Sequence, residues 1–286
     1  MLVKATLDDV EKYCGFIFDI ALDQTRSCYP TYADGIKTKE DFITNAKKGV
    51  TQDNWELLLF SIDGIVEGWL EYFWIQEDNY LQLCACNVNR GTEQALTELL
   101  ALLREHFPGY TLYFGFPESN TDAVHFLLKN GFESIEEEWD NTFFLENFIP
   151  LPEDADIVRI GRDDFDDFRE VYKPDSDTYW NCDRIFEQID QWVILVYYND
   201  GHPVGAVFFQ GEDGYYEIYG VESASGRFRE NIYRALLIAA LNYCKRLNAR
   251  YVTYFCDENS HKVVLDLGFH CIGKYICYQL AHLNTI

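Results

Sequence analysis

The chain has 286 residues, 48% of them apolar and 16% aromatic, a globular composition that suits full hydrophobic cores and gives no sign of disorder. Its formal net charge of −25 repels phosphodiester backbones and argues against a nucleic-acid partner, while the same field would attract a cationic amine. No apolar run approaches the ~18–20 residues of a membrane helix. The first ten residues lack the basic end, apolar stretch and small-residue cleavage site of a signal peptide, so a cytoplasmic protein with no membrane partner is expected.

In chain order, residues 2–6 read as a short strand, and Leu7-Asp-Asp-Val opens a helix with acidic residues at its positive end. Residues 55–62, 66–75 and 80–86 read as a strand meander, with Asp63-Gly64 supplying its first turn. From 92 to 107, apolar residues at Ala95, Leu99, Leu102 and Leu103 recur at helical spacing. A strand over 110–116, a helix over 122–128, and strands over 132–137 and 142–146 follow. The second half reads alike: strand 157–160, helices 163–172 and 182–191, and meander 192–198, 204–210 and 215–221. Helix 231–247, strand 251–256, helix 261–267 and strands 271–274 and 277–281 complete it.

The likeness of the halves extends to single residues. Trp55, Asp63-Gly64, Gly68, Arg90 and Gly131-Phe132 recur 137 positions later as Trp192, Asp200-Gly201, Gly205, Arg227 and Gly268-Phe269. That period is far longer than the roughly 20–50 residues of solenoid or propeller repeats, so two copies of one domain are expected. The boundary falls in Ile149-Pro-Leu-Pro-Glu-Asp-Ala, giving domains over 1–148 and 156–286 with a linker over 149–155. Nine scattered cysteines read as reduced buried thiols, and six histidines without an HxxxH pair give no metal site.

This order of elements, found twice, resembles the GNAT-type N-acetyltransferase fold. The most specific local match is Asn120-x-x-Ala123-x-x-x-Leu127-x-x-x-Gly131-Phe132, which resembles the family's Asn, short helix and Gly-Phe opening the next strand. The resemblance implies an α+β chain of two consecutive domains, each a mixed, mostly antiparallel central sheet flanked by helices. It also implies a split between two central strands, entered by acetyl-CoA from one side and an amine from the other. In the family, the loop before the long helix reads roughly Arg/Gln-x-x-Gly-x-Gly/Ala, and its backbone N–H groups cradle pyrophosphate. The two loops here are Arg90-Gly91-Thr92-Glu93-Gln94-Ala95 and Arg227-Phe228-Arg229-Glu230-Asn231-Ile232. Arg90, Gly91, Thr92, Gln94, Ala95, Asn120, Arg227 and Arg229 are thereby the expected cofactor residues. Both loops carry a glutamate where the family has glycine, and a carboxylate beside pyrophosphate is unfavourable unless its side chain turns away.

Amine acetylation needs a base for the ammonium proton and a backbone donor for the thioester carbonyl. The tyrosine acid frequent on the family's short helix is replaced by Leu127 and Val264. Glu217 and Tyr219, two apart on one strand face, are the expected catalytic pair, and the 137-residue offset equates them with Tyr80 and Gln82. Two functions stay open: an acetyl-CoA-dependent N-acetyltransferase acting on a cationic small-molecule or protein amine with at most one working copy, or a catalytically silent scaffold with degenerate cofactor sites. The sequence leaves acceptor identity and oligomeric state open.

Overall fold

The computed structural model describes residues 1–29, 31–174, 178–212, 214–224 and 228–283. Strand β1 (Leu2–Lys4) leads into α1 (Leu7–Ala21), and α2 (Lys39–Thr51) follows. Each helix opens on a reciprocal capping box, Thr6 with Asp9 and Thr38 with Asp41, which satisfies donors that a helix start leaves unpaired. The meander is β2 (Trp55–Ile62), β3 (Ile65–Ile75) and β4 (Tyr80–Val88). Its first turn places Asp63 and Gly64 at φ 51° and 79°, the left-handed pair that matches strand twist. Then come α3 (Thr92–His106), β5 (Thr111–Pro117), α4 (Thr121–Lys129) and β6 (Glu133–Phe144).

The repeat consists of β7 (Ile157–Ile160), α5 (Phe165–Val171), α6 (Cys182–Glu187), β8 (Val193–Asn199), β9 (His202–Glu212) and β10 (Tyr215–Ser223). It ends with α7 (Glu230–Arg246), β11 (Tyr251–Cys256), α8 (Glu258–Asp266) and β12 (His270–Leu280). Two expectations are corrected. The helix expected over 182–191 stops at Glu187 and continues as a 3₁₀ turn, Ile189–Gln191. The paired closing strands of each half are single long strands, β6 and β12.

Two compact units form, Met1–Glu138 with Ile272–Ile286, and Trp139–Cys271. They differ from contiguous halves parted at 149–155 in one respect: the last strand of each repeat is shared out. In the first unit β12 pairs antiparallel with β5, giving the order β1-β2-β3-β4-β5-β12. In the second, the Trp139–Phe144 part of β6 pairs antiparallel with β11, giving β7-β8-β9-β10-β11-β6. Each of these ladders is antiparallel except β4 with β5 and β10 with β11, so the expected mixed α+β sheets are present.

Period-two alternation separates the two faces of the first sheet. Leu57, Leu59 and Trp69 pack with α1 and α2, whereas Leu58, Phe60, Leu70 and Tyr72 pack with α3 and α4. The second sheet divides the same way, with Ile194, Val196, Ala206 and Phe208 under α5 and α6 and Leu195, Val207 and Phe209 under α7. No helix among the described residues is long and apolar enough to cross a membrane.

The 137-residue offset holds through β2 and β3 but slips afterwards. Four residues join β3 to β4, and two join β9 to β10. Tyr80, Gln82 and Cys84 therefore correspond to Tyr215, Glu217 and Tyr219, because Gln82 faces Phe73 and Tyr113 as Glu217 faces Gln210 and Thr253. The equation of Glu217 with Tyr80 is corrected accordingly: its counterpart is Gln82. The loop to the long helix is then longer in the second copy, which restores the register approximately.

Candidate functional site

In the first unit β4 and β5 run parallel in register only from Tyr80–Thr111 to Leu83–Phe114. Beyond that pair they part, β4 towards Val88 and β5 towards Pro117, which makes the expected fork. At the fork's vertex β4 bulges. Glu71 of β3 faces Ala85 and Tyr72 faces Leu83, leaving Cys84 as the extra residue. The Cys28 thiol stitches this bulge, donating to the Cys84 carbonyl at 3.4 Å and accepting from the Cys86 N–H at 3.1 Å. Burial pushes the Cys28 thiol up to about 12, so it stays protonated and able to donate.

On the α1/α2 face of this fork lies a cavity of about 380 Å³, walled by Tyr29, Tyr32, Phe42, Trp55 and Trp69, with Cys84 and Ala85 of the bulge also lining it. Glu71 lines it too. Its side chain is buried, 5% exposed, and its Oε1 has no hydrogen-bond partner among the described residues. Burial pushes its carboxyl up to about 8, against an opposing pull from the Lys48 charge. The carboxyl fits beneath α2 because residue 49 is glycine: a β-carbon there would stand 2.7 Å from Glu71 Oε1.

A directional hydrogen-bond chain borders the same cavity. Tyr80 donates to Gln82 Oε1 at 2.6 Å, and Gln82 Nε2 donates to the Tyr29 hydroxyl at 2.5 Å. Tyr29 stacks on Tyr275 of β12, with ring centroids 5.0 Å apart. The Tyr275 hydroxyl occupies the space a side chain on Gly115 would need, 1.3 Å from the position of a β-carbon there. Burial raises both phenols well above the usual tyrosine range, so both remain neutral donors.

The loop leading to α3 carries the expected cofactor residues. Gly91 is the N-cap, with φ 80° and ψ 32°, and no side chain among the described residues caps the first turn of α3. The backbone N–H groups of Thr92, Glu93 and Gln94 thus open the helix uncapped by any side chain, and Ala95 is fully buried. Glu93 is turned aside, its carboxylate 3.0 Å from Lys129 of α4. Gln94 is bonded to Glu98, one turn on, at 3.0 Å. Arg90 donates its Nε to buried Glu67 at 2.7 Å, while Asn89 donates to the other carboxylate oxygen at 3.0 Å. Those two bonds, Asn89 first, hold the Glu67 carboxyl below its usual range. Asn120 caps α4 through Ala123 N–H and donates to the Ser27 carbonyl at 2.9 Å, tying the short helix to the chain after α1. An uncapped helix start behind a left-handed glycine, with the nearby carboxylate paired, suits a pyrophosphate.

The second unit fills the corresponding spaces differently. Phe208 stands where the first unit has Glu71, as Ile194–Phe208 repeats the pair Leu57–Glu71. Its ring is enclosed by Phe168, Tyr172 and Trp192, at 5.3, 4.8 and 5.9 Å between centroids. Tyr219 is the bulge residue of β10 and packs on Trp192 at 4.9 Å. Glu217 is half-buried and accepts from Tyr215 at 3.5 Å. Within the β10/β11 fork, Glu222 is pushed up to about 7 by burial and by the neighbouring Asp257 carboxylate. Asp257 replaces Asn as the cap of the short helix α8. Arg229 is the exposed N-cap residue of α7, and Arg234 is engaged by Glu230 and Asp266 at 3.4 and 3.2 Å. Arg227 lies outside the described residues. Sequence reasoning missed Glu71, since bases were sought on β4 and β10. The available signal was its shared β3 face with Trp69, which marks that face as buried.

No family model matches the sequence, and no curated protein matches it. Solved structures do. A GCN5-related N-acetyltransferase from Sphaerobacter thermophilus is similar at TM-score 0.67 and 16% identity, covering 100% of this chain and 96% of that one. The GCN5-related glucosamine N-acetyltransferase region of a fungal multi-domain GH3 beta-N-acetylglucosaminidase is similar at TM-score 0.63 and 11% identity, over 98% of this chain and 38% of that one. A tandem GNAT protein from the clavulanic acid biosynthesis pathway is similar at TM-score 0.53 and 14% identity, over 99% and 98% of the two chains. Over its whole length, in two consecutive copies, the chain has the fold of the GCN5-related N-acetyltransferases.

Proposed function

We propose that the protein is an acetyl-CoA-dependent N-acetyltransferase whose first unit works and whose second is structural. The observation that carries this is Glu71, a buried carboxyl without a hydrogen-bond partner at Oε1 among the described residues, lining a cavity at the bulge and fork of β4. A carboxyl raised to about 8 is, once ionised, a stronger base than an ordinary carboxylate and so better matched to taking a proton from an ammonium. Acetyl-CoA would supply an acetyl group activated as a thioester. Gly91, Thr92 and Gln94 would hold its pyrophosphate through backbone N–H groups at the start of α3, the Ala95 N–H being already bonded to the Gly91 carbonyl at 2.9 Å, and Lys129 would shield Glu93 from it. The bulged Cys84 peptide would be the backbone donor for the acetyl oxygen. As the N–C bond to the acceptor replaced the thioester's C–S bond, Glu71 would take one nitrogen proton and the departing sulfur would take the second. The neutral Tyr29 hydroxyl, already accepting from Gln82, is placed to donate to developing charge in the cavity.

The second unit favours the silent alternative for that copy alone. Phe208 replaces the base, and Glu222 with Asp257 puts two carboxylates in the fork. Glu217 with Tyr219 is the competing base assignment within that unit. Calorimetric titration with acetyl-CoA tests the assignment on wild type, Lys129→Glu and Arg229→Ala. One site per chain, weakened at least tenfold only by Lys129→Glu, is expected. Weakening by Arg229→Ala alone, or no heat at roughly millimolar ligand, would sink it.

A further inference from the structure

The global charge of −25 points to a polycationic acceptor, but the cavity that would receive it has a different local field. Helix α2 presents Asn45 and Lys48, three residues apart on one helical face, to the cavity, and its C-cap residue Gln52 lines it too. Lys37, half-buried, lines it as well. The Lys48 charge reaches Glu71 strongly enough to oppose the effect of burial. A dication such as a polyamine, with one ammonium at Glu71, would bring its second charge towards these lysines, where like charges repel. A group of opposite sign there would be attracted. Between the two ends the walls are aromatic, from Tyr32, Trp55 and Trp69.

We infer that the acceptor is a small zwitterionic monoamine, an amino acid or close analogue, with its ammonium against Glu71, its carboxylate towards Lys48 and its side chain among the aromatic walls. This rests on the reading of the first unit as the site of acetyl transfer. The cavity's roughly 380 Å³ matches such a molecule and falls near the lower bound of small-ligand sites. Asn45 and Gln52 flank Lys48 and supply further amide hydrogen-bonding groups for a carboxylate.

The test uses the full chain with three acceptors: L-phenylalanine, its decarboxylated counterpart phenethylamine, and putrescine. Thiol release from acetyl-CoA reads turnover, and calorimetry without acetyl-CoA reads acceptor binding. The expected kcat/KM order places phenylalanine at least tenfold above phenethylamine, with putrescine last. Lys48→Glu, a substitution at an exposed helix position, should remove the preference for phenylalanine and raise putrescine. Equal use of phenylalanine and phenethylamine, or a preference that Lys48→Glu leaves intact, would overturn the inference while leaving acetyl transfer standing. Binding in the predicted order, dependent on Lys48 but without turnover of any amine, would overturn acetyl transfer and keep the zwitterion site. Binding of none of the three would overturn the inference.

Discussion

Glu71→Gln isolates the cost of a buried, ionisable group, and its effect on stability should depend steeply on pH. The carboxyl's ordinary value is 4.5 and its folded value is about 8. The folded state therefore holds the proton over a range where the unfolded chain has released it. The sign follows: stability from this group is fully present below 4.5 and is lost as pH rises towards and through about 8. Glutamine cannot ionise, keeps the side chain's shape, and is free of that loss. Integrating the linkage between about pH 5 and about pH 9 gives ~4 kcal/mol by which the variant should gain on wild type. Urea unfolding followed by tryptophan fluorescence at the two pH values measures it, because Trp55 and Trp69 line the same cavity. A pH-dependent difference below about 1 kcal/mol would refute the reasoning, since it would mean that Glu71 is solvated in the folded protein.

Gly49→Ala places a methyl 2.7 Å from Glu71 Oε1 and should destabilise by about 1–3 kcal/mol, despite alanine's better helix propensity; combining it with Glu71→Ala should remove most of that penalty in a double-mutant cycle. Cys28→Ala should cost about 1–2 kcal/mol by stripping the bulge of its thiol partner, and Cys28→Ser should restore part of it, as denaturation midpoints would report. Arg90→Ala should lower stability by about 1 kcal/mol through the loss of its bond to buried Glu67. Glu93→Gln should tighten acetyl-CoA binding a few-fold in calorimetry, with the gain shrinking at high salt.

The architecture was legible because both halves carry the same element order, and each meander begins with an Asp-Gly turn that permits left-handed backbone. The site was less so. A constant offset conceals a two-residue difference between the β3–β4 and β9–β10 turns, so Glu217 was aligned with Tyr80 instead of Gln82. Side-chain direction on a strand alternates, but a bulge at Cys84 puts two neighbouring residues on one face, which alternation alone does not foresee. Glu71 reads in sequence as one more acid in an acidic chain. Its burial depends on α2 lying across it and on a glycine at 49, a tertiary fact without a local signature. Likewise Tyr275 is more than 150 positions from Gly115, and only the sharing-out of closing strands brings it to the first fork.

The most direct test of the account is acetyl-CoA turnover by Glu71→Gln and Glu217→Gln beside wild type, with acetyl-CoA affinity measured on each. Turnover reduced at least a hundredfold in Glu71→Gln, at unchanged cofactor affinity and with Glu217→Gln as active as wild type, is the predicted result. An active Glu71→Gln alongside an inactive Glu217→Gln would place the chemistry in the second unit and contradict the account.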